Sequence, residues 1–374
     1  MSSLGSLIRY AEARLERLQA AGQQRTLKPT HRLPGLRARR SDRPLISFCD
    51  NDYLALSSDP RLVRAAAQAA ETFGVGAGAS RLVTGDCPLN QTLENEIARI
   101  KGMPACRVFG SGYLANIGAV PALVGVGDTI IMDELSHACM HAGARLSGAD
   151  IRVFRHNDVR HAEALFEDAT GQVLLMTETV FSMDGDLAPL IPLAELCERY
   201  EAWLMTDDAH GLGVIDQHNP APLQMGTLSK AAGTYGGYVC GPAPVVDMFT
   251  SRARSLVYTT GLPAPVLASA ICALEIMQAE PERAARARAN AEHFCKRMAL
   301  PRTQSVIVPM IIGDESRAMA LSGLLEEAGF LVTAIRPPTV PKGTSRLRIT
   351  FSAGHSQEDV DGLADALQEA MIAA

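Results

Sequence analysis

The stretch WLMTDDAHGLG at 203–213 opens on a short apolar run and closes on two carboxylates and an imidazole, Asp207, Asp208 and His210. An apolar run of that length bounded by turn chemistry reads as a buried strand, and the polar group stands where it ends. Working outward, CRVFG (106–110), TIIMDE (129–134), IRVF (151–154), QVLLMT (172–177) and GGYVC (236–240) share that character, with helical patterns such as 116–124 and 190–200 between them. Strands apolar on both faces, alternating with helices, predict an α/β fold: a mostly parallel sheet covered by helices on both sides. Ligands of such sheets sit beyond the carboxyl ends of the strands. A long helical pattern follows over 264–298, and SVIVPMII (305–312), FLVTAI (330–335) and LRITF (347–351) then alternate with helices at 317–327 and 358–373. The expected organisation is an N-terminal helix and basic arm (1–45), a large α/β domain (46–265) and a small α+β domain (266–374). Within the arm, 4–18 reads as an amphipathic helix and the Arg- and Pro-rich stretch to about Arg43 as a loop.

Apolar residues make up 47% of the 374 and charged residues 20%, which excludes a disordered chain. Lys and Arg number 35 against 41 Asp and Glu, a net −6, so binding nucleic acid through its phosphates is not expected. The charge is uneven: residues 1–44 hold ten Lys/Arg and three Asp/Glu, or +7, leaving −13 for the rest. That arm is either a solvated face or an aid in holding an anionic ligand. The eight cysteines (Cys49, Cys87, Cys106, Cys139, Cys197, Cys240, Cys272, Cys295) are spaced at 19 residues or more and make no metal-ligand pattern. Free thiols in a reducing compartment are the reading, with no membrane span or secretory leader in sight, so the expected location is cytoplasmic.

The glycine-rich GVGAGASRLVTG at 74–85 formally fits a dinucleotide fingerprint, but it follows a helical run at 61–73 where that motif needs a strand. A loop lying close to a ligand or a subunit edge suits it better. A second strand, in QMGTLSKAAGTYGG, ends at Thr227, Ser229 and Lys230, and SGYLAN at 111–116 is a glycine-flanked helix start. An Asp at one strand end, a Lys at the next and a helix N-terminus upstream together suit pyridoxal 5′-phosphate. Lys230 would form the Schiff base. Asp207 would keep the pyridine nitrogen protonated, and His210 would donate to the ring oxygen. The N–H groups of Gly112 and Tyr113, with the Thr227 hydroxyl, would bind the phosphate. A capping Asp, a satisfied core His and a solvated Lys are the plain alternatives.

The ordered strings NDYLAL (51–56), GAGASRLVTG (76–85), SGYLAN (111–116), DELSHA (133–138), ETVFSMDGDLAPL (178–190), DDAHGLG (207–213), GTLSK (226–230) and VTAIRPPTVPKGTSRLRITFSAGH (332–355) resemble the α-oxoamine synthases, fold-type I pyridoxal-phosphate enzymes that condense an amino acid with an acyl thioester. The resemblance runs from about Arg25 to the final helix. It implies that Lys230 carries the cofactor, that His137 stacks on its ring, and that Ser182 joins Gly112, Tyr113, Asp207, His210 and Thr227 in binding it. It makes Arg348 the clamp for the amino-acid carboxylate, with Arg346 its competitor, and places Arg25 and Thr339 at the substrate, with Arg336 as an anchor for a second carboxylate. Within the family, FSMDGDLAPL and TAIRPPTVPKGTSRLR resemble the member that joins L-alanine to a pimeloyl thioester, on CoA or acyl carrier protein, on the way to biotin. Sister activities use glycine with acetyl- or succinyl-CoA, or serine with a long acyl-CoA; a noncatalytic cofactor-binding subunit is a further alternative. The resemblance also implies a homodimer with sites at the interface, through YTTGLP at 258–263. Two departures stand out: Asn90 where the family often has His, and Gly261 where it often has Ser. The segment between Val214 and Thr227 is also short for the family, as a trimmed surface loop would be.

Overall fold

A computed structural model describes residues 3–20 and 23–373. Its centre is a seven-stranded sheet in the spatial order Ala105–Phe109, Gly237–Gly241, Leu223–Thr227, Trp203–Asp207, Val173–Glu178, Thr129–Asp133, Asp150–Phe154. The last five are mutually parallel. Gly237–Gly241 runs antiparallel to both its neighbours. Alternate residues explain why the sheet is covered on both sides. Ile130, Met132, Leu174, Met176 and Met205 pack with Ala115, Val120 and Met140 of the helices Gly112–Leu123 and Ala138–Ser147. Ile131, Leu175 and Leu204 face the other way, onto Leu193 and Leu196 of the helix Leu190–Arg199. Period-two side chains that are apolar at every position leave neither face to water.

The segment 264–298 is two helices rather than one, Ala264–Ala279 and Glu282–Arg297, because Pro281 cannot continue the first. Leu267, Ala270 and Leu274 of the first pack with Tyr53, Leu62 and Leu93 in the large unit. Ala291, Phe294 and Cys295 of the second belong to the small unit's core with Leu347, Ile349 and Leu363. The second helix also packs on the large unit through Ala287, so it bridges the two cores. The small unit holds the antiparallel strands Ile307–Gly313, Ser345–Thr350 and Thr333–Ile335.

The arm expected as a loop forms strands instead, His31–Leu33, Arg37–Arg40 and Arg43–Ser47, closed by Phe330–Leu331 in parallel with the last. FLVTAI accordingly divides between two sheets. The arm is thus stitched to the C-terminal unit, and the Arg37 guanidinium bonds both Asp359 oxygens from 2.9 Å. The helix Ser3–Ala20 forms as expected but buries none of its residues. At Gly261 a Cβ would stand 2.5 Å from the Gly85 carbonyl oxygen, and its N–H donates to Ala79 O at 3.0 Å, so the glycine loop and YTTGLP are laced together. Among the described residues no helix is long and apolar enough to cross a membrane.

Candidate active site

Every strand that contributes to the site does so at the same edge of the sheet. His137 follows Thr129–Asp133, Glu178 ends Val173–Glu178 in register with Asp207, and Thr227 ends Leu223–Thr227 opposite Gly237. Lys230 lies three residues past Thr227, its Nζ 2.9 Å from His210 Nε2. His210 Nδ1 is 2.7 Å from the Tyr53 hydroxyl, which is 3.0 Å from Asn51 Oδ1. One direction satisfies the chain: Lys230 donates to Nε2, Nδ1–H donates to Tyr53, and Tyr53 donates to Asn51. Burial, reinforced by the charge of Lys230, drives the His210 pKa well down, so its ring is neutral as this requires. Burial likewise lowers the Lys230 pKa, with Asp207 and Glu178 opposing, which brings the amine closer to the free base.

Asp207 is held by two donors, Asn116 Nδ2 and Ala209 N–H, each at 3.0 Å. Burial raises its pKa while Lys230's charge pulls the other way. Its neighbour Asp208 is committed elsewhere, to Lys101 Nζ and Thr179 Oγ1 at 2.6 Å each. That leaves Asp207 as the carboxylate available to a ligand at the strand end.

The helix Gly112–Leu123 begins beside Thr227: a Cβ on Gly112 would come within 3.3 Å of Thr227 Cβ and 3.6 Å of Oγ1. Ser111 Oγ caps the helix by accepting from Leu114 N, leaving the N–H groups of Gly112 and Tyr113 without intrahelical partners. The Thr227 hydroxyl donates to Gly236 O at 2.7 Å and is 2.8 Å from Ser229 Oγ, which donates to it in turn. Amide and hydroxyl donors at a helix N-terminus, a Lys amine, a buried carboxylate and a second buried carboxyl, Glu178, with Oε1 lacking a partner, are a donor set that fits pyridoxal phosphate.

A cavity of about 650 Å³ adjoins this group, and Arg25, His137, Ser182, Thr339 and Arg346 are on its wall. Arg336, half-buried in the following loop, does not line it. The two candidate clamps differ in their partners. Arg346 is neutralised by Asp184 at 2.5 Å and also donates to the Met183 and Thr344 carbonyls. Arg348 is as deeply buried, yet its acceptors are all uncharged: Ser182 O at 2.5 Å from Nε, Asn51 Oδ1 at 3.2 Å from both terminal nitrogens, and the Tyr53 hydroxyl at 3.5 Å.

A model of the class I and II aminotransferases matches residues 43–367. Curated relatives named 8-amino-7-oxononanoate synthase include one from Methylobacterium nodulans, 56% identical over 97% of each chain, and one from Beijerinckia indica, 50% identical over 99% of each. The chain belongs to the 8-amino-7-oxononanoate synthase family. Among solved structures, a serine palmitoyltransferase from S. paucimobilis with bound PLP–myriocin aldimine is 26% identical with a TM-score of 0.91 over 100% of this chain and 99% of that one. An 8-amino-7-oxononanoate synthase from Francisella tularensis, 24% identical over 88% of this chain and 98% of that one, shares the fold at a TM-score of 0.76. The fold is that of fold-type I pyridoxal-phosphate transferases.

In this member of the family, the structure brings Lys230, Asp207, His210, His137, Ser182, Thr227 and the Gly112–Tyr113 turn to one strand edge. Reading the sequence for chemistry passed over Tyr53, Asn51, Asn116 and Glu178. The first two stand in NDYLAL and Asn116 in SGYLAN, strings with no charged or nucleophilic cluster to single out an individual side chain. Glu178 reads as the unremarkable end of a strand.

Proposed function

We propose that the protein is a pyridoxal-phosphate-dependent acyltransferase that condenses L-alanine with a pimeloyl thioester, yielding 8-amino-7-oxononanoate, CO2 and the free thiol. The observation that carries the reading is Arg348, a buried guanidinium with uncharged acceptors, joined to Lys230 through Tyr53 and His210. A buried cation without a counter-charge is costly, and a substrate carboxylate would supply one. An amino acid spanning Arg348 and Lys230 meets both needs. A planar guanidinium also matches a carboxylate's two oxygens.

Gly112 and Tyr113 N–H with Thr227 would hold the cofactor's phosphate, Asp207 its ring nitrogen, His210 and Ser182 its remaining polar edge, and Lys230 its carbonyl carbon. When bound, the cofactor supplies an electron sink for charge developing at the alanine Cα. Lys230, its amine released by the incoming alanine, removes the Cα proton at Nζ and later returns one. Arg348 fixes the carboxylate that leaves as CO2. His137, on the cavity wall, donates a hydrogen bond to the thioester carbonyl oxygen as charge builds there. The cavity accepts the acyl chain, whose far carboxylate is met by Arg25 or Arg336. The +7 arm attracts an anionic carrier, CoA or acyl carrier protein.

The active form is a homodimer. Val75, Val83 and Tyr258 are 80%, 73% and 75% exposed on the laced loops at 74–85 and 258–262, and the helix Ser3–Ala20 leaves Leu4 and Leu7 uncovered. An isologous contact would bury that apolar surface. The eight free cysteines suit a cytoplasmic, reducing setting. The test is a matrix of amino acids against acyl thioesters assayed for thiol release. Alanine with the pimeloyl thioester should dominate. A preference for glycine with acetyl- or succinyl-CoA, or for serine with a long acyl-CoA, would replace the substrate assignment, and the absence of a cofactor absorbance band would end the reading altogether.

A further inference from the structure

Asn116 is fully buried, and its side-chain nitrogen is 3.0 Å from Asp207 Oδ2 and 3.0 Å from Cys139 Sγ. The opposite amide orientation would set its oxygen against the Asp207 carboxylate, so the NH2 group gives one hydrogen to each. Cys139 Sγ is in turn 2.8 Å from His137 Nδ1. Nδ1 is an acceptor, since a backbone N–H is bonded to it as well, so the thiol's hydrogen is the one directed at Nδ1. Burial, with the Asp207 charge adding, pushes the Cys139 thiol up to about 12, and it remains S–H at any working pH. A second donor converges on the same atom: Cys139 N–H is 3.3 Å from Nδ1, because His137 caps the helix Ala138–Ser147.

We propose that Asn116 and Cys139 are positioning residues that couple the Asp207 carboxylate to the His137 ring and hold that ring as the tautomer with its hydrogen on Nε2. Two donors on Nδ1 leave it no hydrogen of its own. Burial depresses the His137 pKa, Lys230 adding to that and Asp207 opposing, so the ring is neutral and its one hydrogen is on Nε2. That nitrogen is the one left for the cavity, and it is therefore a donor before any substrate arrives. This inference rests on the reading that His137 meets the acyl carbonyl, and it adds what aims that donor and sets its tautomer: an amide and a thiol on two successive helices. A thiol at 139 is sufficient, and a hydroxyl there would serve the same purpose.

The test is ¹⁵N-histidine NMR of the holoenzyme, with the His137 signals assigned by their loss in His137→Asn. Nδ1 should resonate as an unprotonated, pyridine-type nitrogen and Nε2 as a protonated one. Cys139→Ser should keep both signals. In Cys139→Ala, with only the longer backbone bond left, both should move toward a mixture of tautomers, and kcat should fall about tenfold, the loss of one hydrogen bond of ~1.4 kcal/mol. The KM for alanine and the cofactor absorbance should stay unchanged. A hydrogen on Nδ1 in the wild type overturns the proposal, as does a Cys139→Ala spectrum and kcat identical to wild type. Should Cys139→Ala fail to fold, the wild-type and Cys139→Ser spectra decide. The tautomer is read without turnover, so signals that move in Cys139→Ala while acyl transfer does not would support the relay and remove His137 from the reaction.

Discussion

Replacing His156 with Gln should remove stability that is greatest below pH 6.5 and disappears toward pH 10. Its ring ties together the two loops that frame the site: Nδ1 is 3.0 Å from Asp133 Oδ1, at the root of the loop carrying His137, and Nε2 is 2.7 Å from Asp186 Oδ2, at the end of the loop carrying Ser182 and Asp184. Phe181 packs edge-on against it, 4.3 Å between centroids. Two carboxylates accepting from both ring nitrogens require the imidazolium. Burial opposes that charge, but the bonds to Asp133 and Asp186 outweigh it and raise the pKa to about 10. A group whose folded pKa is raised stabilises fully below its unfolded value near 6.5, and the contribution is lost as pH rises through the folded value. At 1.36 kcal/mol per pH unit the ceiling is about 5 kcal/mol, and with the ring 22% exposed to water about 2–4 kcal/mol is expected at pH 6.5. For a chain of this size that is a fall of roughly 3–5 °C in Tm. Scanning calorimetry of wild type and His156→Gln at fixed protein and cofactor concentration, from pH 6 to 9.5, should show the gap narrowing by more than half across the range. A gap that stays constant with pH would refute the charged staple.

Lys230→Ala should retain the fold and reduce turnover below about 1% of wild type, since a general base alone contributes ~10²–10⁴-fold; steady-state thiol release measures it. Asp207→Asn should still bind cofactor but slow alanine Cα–H exchange with deuterated solvent by about a hundredfold or more, and an unchanged exchange rate would make Asp207 structural. Raising ionic strength should increase the KM for the thioester and leave that for alanine nearly constant, because attraction between exposed charges is screened beyond ~8 Å; Arg25→Ala should reproduce the effect, and a KM within twofold of wild type would reduce the arm to a solvated face. Gly261→Ala should lower stability by about 1–3 kcal/mol in thermal melts, its Cβ being placed 2.5 Å from the Gly85 carbonyl oxygen.

The apolar strands with both faces buried, the chemistry gathered at their ends, and the order Asp207 then Lys230 were legible in the chain, because period and composition are local properties that survive without a partner. What the sequence could not decide depends on contacts between distant residues. Arg346 and Arg348 lie two apart on one strand, so alternation puts them on the same face and pattern cannot separate them. Asp184 beside the one and Asn51 beside the other, 162 and 297 residues away, do so. Asp207 and Asp208 are adjacent and identical in type, and only Lys101, 107 residues upstream of Asp208, shows which is spent on the scaffold. The basic arm, reading as a loop by its Arg and Pro, became a sheet because Phe330–Leu331 offered it an edge. The break at Pro281 was visible as a residue, but that the second helix packs on both cores, through Ala287 on one and Phe294 on the other, was settled by packing. Local sequence determined which side chains could do chemistry, and tertiary structure decided which of them were left free to do it, because a charge is available to a substrate only where the fold has given it no partner.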